Sequence, residues 1–148
     1  MTKNAVMSSS FRSSPWKILL VDDEPDIHDV TKLTLHRFQL DGRGLQFFDA
    51  YNAPQAKEIL SREPDIALVF LDVVMETEDA GLEVARWMRQ DLKNQFTRIV
   101  LRTGQPGQAP EESVIVDYDI NDYKEKTELD RTKLFTTTFA ALRAYRDI

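Results

Sequence analysis

The stretch Ile66-Ala67-Leu68-Val69-Phe70-Leu71-Asp72 decides the fold. Six consecutive apolar residues are too few for a helix of ordinary length. They read as a strand buried on both faces, the kind a parallel sheet uses at its centre. The run ends on a carboxylate. In an open α/β sheet, ligands sit beyond the carboxyl ends of the strands, which places Asp72 at the floor of a site. Taken alone, Asp72 is equally well explained as the first residue of a turn, and the neighbouring strands must decide.

Upstream, Lys17-Ile18-Leu19-Leu20-Val21 is a short apolar run stopped by Asp22-Asp23-Glu24-Pro25, a central strand that delivers three acids to its carboxyl end. A helix follows, with Ile27, Val30, Thr31, Thr34, Leu35 and Phe38 at helical spacing, until Asp41-Gly42-Arg43-Gly44 breaks it. Leu45 to Ala50 predicts a second strand. Asn52 is placed to cap a helix reaching Arg62, with Pro54 in its first turn and Gln55 at the capping-box position.

Downstream, Val73 to Gly81 forms an acidic loop, and a helix with Leu82, Ala85, Met88, Arg89 and Leu92 inward comes next. Arg98 to Leu101 predicts a fourth strand ending at Arg102-Thr103-Gly104. A turn-rich segment, Gln105 to Pro110, leads into a short helix opened by Pro110-Glu111-Glu112. Ile120 to Tyr123 predicts a brief fifth strand before Lys124-Glu125-Lys126. A last helix spans Asp130 to Tyr145, with Leu134, Phe135, Thr138, Leu142 and Tyr145 inward. Five β-α units in succession imply a parallel sheet with right-handed crossovers and helices on both faces. The expected class is α/β, a flavodoxin-like (βα)5 doubly wound sandwich with strand order 2-1-3-4-5.

The 148 residues suit one domain. Residues 1–14 are Ser-rich and read as a flexible lead-in, and 15–148 as the domain itself. With 42% hydrophobic and 30% charged residues, the composition is that of a globular protein. A net charge of −6 argues against a nucleic-acid grip, which calls for a basic face. The chain has no cysteine, which excludes disulfides, thiol catalysis and thiolate metal sites and is compatible with a cytoplasmic location. No apolar run approaches the length of a membrane span.

In the expected topology the first and third strands are neighbours, so Asp22, Asp23 and Asp72 converge. Carboxylates at such distances cannot comfortably all ionise unless a cation joins them. A hard, oxygen-preferring ion fits, Mg²⁺ first and Mn²⁺ as a substitute. Thr103 after strand four adds a hydroxyl and Lys126 after strand five an ammonium, both suited to an anion beside the metal. Each alone has a bland explanation, since most lysines are solvated and threonines often cap turns. Together they supply what a phosphoryl-accepting aspartate needs, with Asp72 as nucleophile.

These residues resemble the response-regulator receiver domain of bacterial two-component signalling, over roughly Trp16 to Tyr145. The resemblance rests on Ile18-Leu19-Leu20-Val21-Asp22-Asp23-Glu24-Pro25, Leu71-Asp72-Val73-Val74-Met75, Gly81-Leu82-Glu83, Thr103-Gly104 and Asp122-Tyr123-Lys124-Glu125-Lys126. It implies that Asp72 is the phosphoacceptor and that Asp22 and Asp23 hold the metal, with the backbone carbonyl of Val74 as a further ligand. It also implies that Thr103 and Tyr123 are switch residues and that Lys126 binds the phosphoryl group. The implied partners are a sensor histidine kinase or phosphotransfer protein, and an output domain beyond the C-terminus or a separate effector. The domain is then regulatory and not an enzyme, and a homodimer through the last helix is compatible with it. The segments Ile99 to Pro110 and Asp117 to Leu129 resemble, more narrowly, receivers that precede a sensory-like domain and an HD-GYP-type or other signalling output.

Three positions depart from the family pattern. Thr127 stands where proline usually follows the lysine, which makes the usual cis bond unexpected. Glu76 stands where proline is usual, in a loop one residue longer than the common one, and is expected to point to solvent or to add an acid near the site. Arg102 occupies a usually apolar position, with Glu76 or Asp119 as expected partner. These departures keep a second reading open, a pseudo-receiver that acts as a phosphorylation-independent interaction module. A haloacid-dehalogenase-type phosphatase is disfavoured because Val74 stands where a second acid is needed. A flavin-binding module is disfavoured because Asp22-Asp23-Glu24 would repel phosphate. His28 and His36 are expected to be surface or packing residues, not ligands.

Overall fold

In the computed structural model, which describes residues 14–104, 112–126 and 130–148, five strands alternate with five helices. They are β1 (Trp16–Val21), α1 (Pro25–Leu35), β2 (Leu45–Ala50), α2 (Ala53–Arg62), β3 (Ile66–Asp72), α3 (Ala80–Gln90), β4 (Arg98–Thr103), α4 (Glu112–Asp117), β5 (Asp122–Glu125) and α5 (Arg131–Arg146). All neighbouring strands pair in parallel, in the order β2-β1-β3-β4-β5. The expected class and order are both observed. The central β3 is buried along its whole length, because helices cover both faces of the sheet.

Strand alternation divides the interior into two cores. On one face Leu19, Val21, Val69, Leu71, Ile99 and Leu101 pack against α2, α3 and the apolar side of α4. On the other, Ile18, Leu20, Leu68, Phe70 and Val100 pack against Leu35 of α1 and Leu134 and Leu142 of α5. Side chains of this size each contribute roughly 1.5–3 kcal/mol when fully buried.

Local signals behave as chemistry dictates where they are strong. Asn52 Oδ1 accepts the Gln55 N–H at 2.9 Å, capping α2. The Gln55 side chain reaches back to the N–H of Tyr51, one residue beyond the usual capping-box donor. Leu40 and Arg43 exchange both backbone hydrogen bonds across a turn in which Asp41 and Gly42 have φ of 56° and 71°. That backbone region favours Asp or Asn and Gly.

Several expected faces are rotated. On α1 the buried residues are His28, Thr31 and Leu35, whereas Val30 is 60% exposed. The helix turns polar side chains inward because it covers the end of the sheet where the acids lie. On α3, Val84 replaces Leu82 in the buried stripe, and on α5 Phe135 is 44% exposed while Thr137 and Ala141 are buried. The fifth strand begins two residues later than expected. Ile120 instead plugs the larger core, and Asn121 exchanges backbone and side-chain hydrogen bonds with Ile99 to start the pairing. Pro110, Glu111 and Thr127 lie outside the described residues.

Candidate functional site

The site is built from the carboxyl ends of β1, β3, β4 and β5. Register sets it: Val21 pairs with Leu71, and Asp72 pairs with Arg102. Asp22, Asp72 and Arg102 therefore lie side by side across three adjacent strands, on the face covered by α1 and α5. The backbone N–H of Asp22 donates to Ala50 at 3.1 Å, and its carboxylate accepts the N–H of Glu24 at 2.9 Å. This turn directs Asp23 and Glu24 over the edge of the sheet.

Oxygens of Asp22, Asp23 and Asp72 lie within 4.8 Å of one another. Asp22 and Asp72 are only 3% and 4% exposed, and Asp23 faces solvent. Burial, and then the charge of Asp22, push the Asp72 carboxyl up to about 6 against the opposing pull of Lys126. Lys126 Nζ stands 2.8 Å from Asp22, 2.8 Å from Glu24 and 3.4 Å from Asp72. Burial alone would lower the Lys126 ammonium, but its hydrogen bonds to Asp22 and Glu24 outweigh that and hold it above its ordinary value. One ammonium among four acids leaves excess negative charge, the donor set that suits a hard cation with oxygen ligands. Asp23, Glu24, Asp72, Val74, Gly104 and Lys126 line an open cleft of about 300 Å³, room for such an ion and a small anion.

Of the sequence-predicted residues, Asp22, Asp23, Asp72 and Lys126 are assembled at one place. Val74 lines the cleft. Thr103 is buried at the end of β4, and the Tyr123 ring packs against the larger core, its backbone paired with Leu101. Gly81 serves this edge through its missing side chain. Its N–H donates to Val73 O at 2.9 Å, and a Cβ there would stand 2.0 Å from the backbone oxygen of Asp72.

Among the departures, Glu76 is exposed, as one of its two expectations had it, and does not line the cleft, whereas the expectation for Arg102 is corrected. The Glu76 carboxylate accepts the Ala53 N–H at 3.0 and 3.1 Å, where α2 begins and an anion is favoured. Arg102 pairs with neither Glu76 nor Asp119. Its guanidinium donates to Thr31 Oγ1 at 3.0 Å and lies 5.3 Å from the Phe70 ring centroid. The backbone oxygen of Asp119 is taken instead by Arg89, which also donates to the carbonyls of Tyr118 and Asn94.

Sequence reasoning missed His28 as a component of the site. The ring is 1% exposed and stacks on Tyr51. Nε2 donates to the backbone oxygen of Asp22 at 2.8 Å, and Nδ1 faces Asp49 Oδ1 at 2.6 Å, while Lys32 binds the other carboxylate oxygen, Oδ2. Burial of Asp49 works against its charge, but the hydrogen bonds from Lys32 and His28 hold its carboxyl below the usual range. A signal existed: His28, Thr31 and Leu35 follow helical spacing, a stripe obscured by the more apolar Val30.

This fold and acidic edge define a class, and comparison with known proteins agrees. The chain belongs to the response regulator receiver domain family, which it matches over residues 18–138. It is 49% identical over 134 residues to 3'3'-cGAMP-specific phosphodiesterase 2 of Vibrio cholerae, covering 90% of this chain and 26% of that protein. It is 37% identical over 75 residues to the response regulator protein PilR of Pseudomonas aeruginosa, covering 50% of this chain and 15% of that protein. The chain therefore spans about a quarter or less of these curated relatives. Among solved structures, a CheY-like receiver from Methanospirillum hungatei superposes with a TM-score of 0.72 at 20% identity, covering 90% of this chain and 98% of its own. The receiver of an HD domain-containing protein from Pseudomonas fluorescens gives 0.70 at 23% identity, covering 90% and 99%. At such identities these two show the fold.

Proposed function

We propose that this receiver domain accepts a phosphoryl group on Asp72 from a phosphohistidine of a sensor kinase or phosphotransfer protein. The observation that carries the reading is a buried Asp72 within 4.8 Å of two further aspartates, with Lys126 Nζ 3.4 Å away. In the step, an Asp72 oxygen attacks phosphorus and the phosphorus–nitrogen bond breaks. Its electron pair returns to the donor imidazole, which takes up a proton. Bound at Asp22, Asp23, Asp72 and the Val74 carbonyl, Mg²⁺ would neutralise charge on the transferred group. Lys126 shares that task from the other side and orients the phosphoryl oxygens. Thr103 and Tyr123 act as the switch, and the α4-β5-α5 surface carries the new state to its partner by biasing a pre-existing equilibrium.

The domain is regulatory, spanning residues 15–148 behind a lead-in of 1–14, and a separate effector or an attached output receives its signal. The name of the Vibrio cholerae relative favours cyclic-dinucleotide hydrolysis as that output. The phosphorylation-independent alternative drew support from Glu76 and Thr127; Glu76 engages Ala53 and does not line the cleft, and Thr127 lies outside the described residues.

Intact mass after incubation with Mg²⁺ and acetyl phosphate, beside Asp72→Asn, tests the reading. A single phosphoryl adduct that requires Mg²⁺ and is lost in the variant supports it. No adduct, together with no binding of beryllofluoride, overturns it.

A further inference from the structure

Arg102 is the most unusual charge in the molecule. It is 7% exposed, and its Nε has no hydrogen-bond partner among the described residues. It lies in the same lateral row as Asp22 and Asp72, one strand from Asp72, on the same face of the sheet. Burial pulls the guanidinium below its ordinary value, and the fields of Asp22 and Asp72 oppose that pull. Its other support is Thr31 Oγ1, which itself donates to Ile27 O at 2.7 Å within α1. A buried guanidinium without a bonded carboxylate is costly, and packing alone would be served better by the apolar residue expected at this position.

We infer that Arg102 is a built-in countercharge for the Asp22–Asp72 pair, tethered to α1 by Thr31, and that it sets the affinity of the acidic site for a divalent cation. This rests on the proposed function of that site and concerns its regulation. The guanidinium and an incoming cation both act on the charge of the same two carboxylates. Positive charge already under the acids weakens the site's attraction for the ion. Held by Thr31, the guanidinium is kept back from the carboxylates. Released, it moves towards them and competes more strongly. Arg102 is thus a positioning residue, and α1 controls its reach.

Calorimetric titration with MgCl₂ at low ionic strength, on the wild type, Arg102→Met, Arg102→Lys and Thr31→Val, separates this from a packing role. Arg102→Met is expected to bind Mg²⁺ about tenfold tighter, an effect of the size that one charge exerts at close range in a partly buried site. Arg102→Lys keeps the charge and stays within about twofold of wild type. Thr31→Val frees the guanidinium and binds Mg²⁺ about threefold more weakly. Opposite shifts for Arg102→Met and Thr31→Val support the inference, and a merely disturbed core would move both the same way. Equal affinities, or shifts in one direction, overturn it while leaving the receiver reading intact. Should Arg102→Met fail to fold, the sign of the Thr31→Val shift and the rank of Arg102→Lys decide. A wild type that binds no Mg²⁺ overturns this inference and the proposed function together, whereas Mg²⁺ binding with neither a phosphoryl adduct nor beryllofluoride binding overturns only the latter.

Discussion

The two edges of the sheet handle charge in opposite ways. At the amino edge the polar groups are matched. The Trp16 indole donates to Leu40 O at 3.0 Å, Arg43 lies 3.5 Å over its ring, and Tyr145 packs edge-on at 6.4 Å. Lys17 sits between Glu63 and Asp65 at 2.9 and 3.0 Å. At the carboxyl edge, two nearly buried carboxylates stand together, Lys126 is divided among Asp22, Glu24 and Asp72, and a buried arginine has no acid of its own among the described residues. Matched polar groups stabilise a fold, whereas crowded like charges store an unfavourable energy that a ligand can release. One edge holds the domain together and the other holds it ready.

Four substitutions sharpen or break this contrast. Trp16→Ala removes the anchor of the amino edge and is expected to cost about 4 kcal/mol in urea unfolding. It should leave Mg²⁺ affinity unchanged within twofold; a large change would mean that the two edges are coupled. Gly81→Ala places a methyl group against the backbone of Asp72, and overpacking of this kind costs about 3 kcal/mol. Because the clash is with backbone, phosphoryl adduct formation by mass should fall with stability, unlike in Trp16→Ala.

Asp72→Asn is expected to stabilise the metal-free protein at pH 8 by about 2–3 kcal/mol. The sign follows from the carboxyl's rise from 3.8 to about 6. The native state holds this proton more tightly than the unfolded chain does. Stability is therefore lost as pH climbs from about 4 to 6, and the loss persists above. The advantage of Asn over Asp should vanish near pH 4 and shrink in Mg²⁺, as unfolding midpoints across pH would show. Were Asn destabilising at pH 8, the carboxyl edge would not be a store of repulsion. The smallest effect belongs to Lys17→Met, whose partly exposed ion pairs are worth under about 1 kcal/mol. That difference should fade in high salt in thermal melts.

The class, the strand order and the meeting of Asp22, Asp23, Asp72 and Lys126 were legible in the sequence. They follow from short-range facts: apolar runs of strand length, each ended by a chemically loaded residue, separated by helical periods. Parallel connectivity then leaves little choice about which ends meet. Asn52 was legible as a cap because its bond to Gln55 closes within four residues. Helix faces were harder. The inward turn of His28 and Thr31 instead of Val30 depends on α1 covering charged residues from β1 and β4, which no hydrophobic period encodes. The partners of Arg102 and Glu76 were beyond reach for the same reason. Thr31 lies 71 positions from Arg102, and Ala53 lies 23 from Glu76. Long side chains near several candidate partners are assigned by register and by the space left after packing, and both exist only once the sheet has closed.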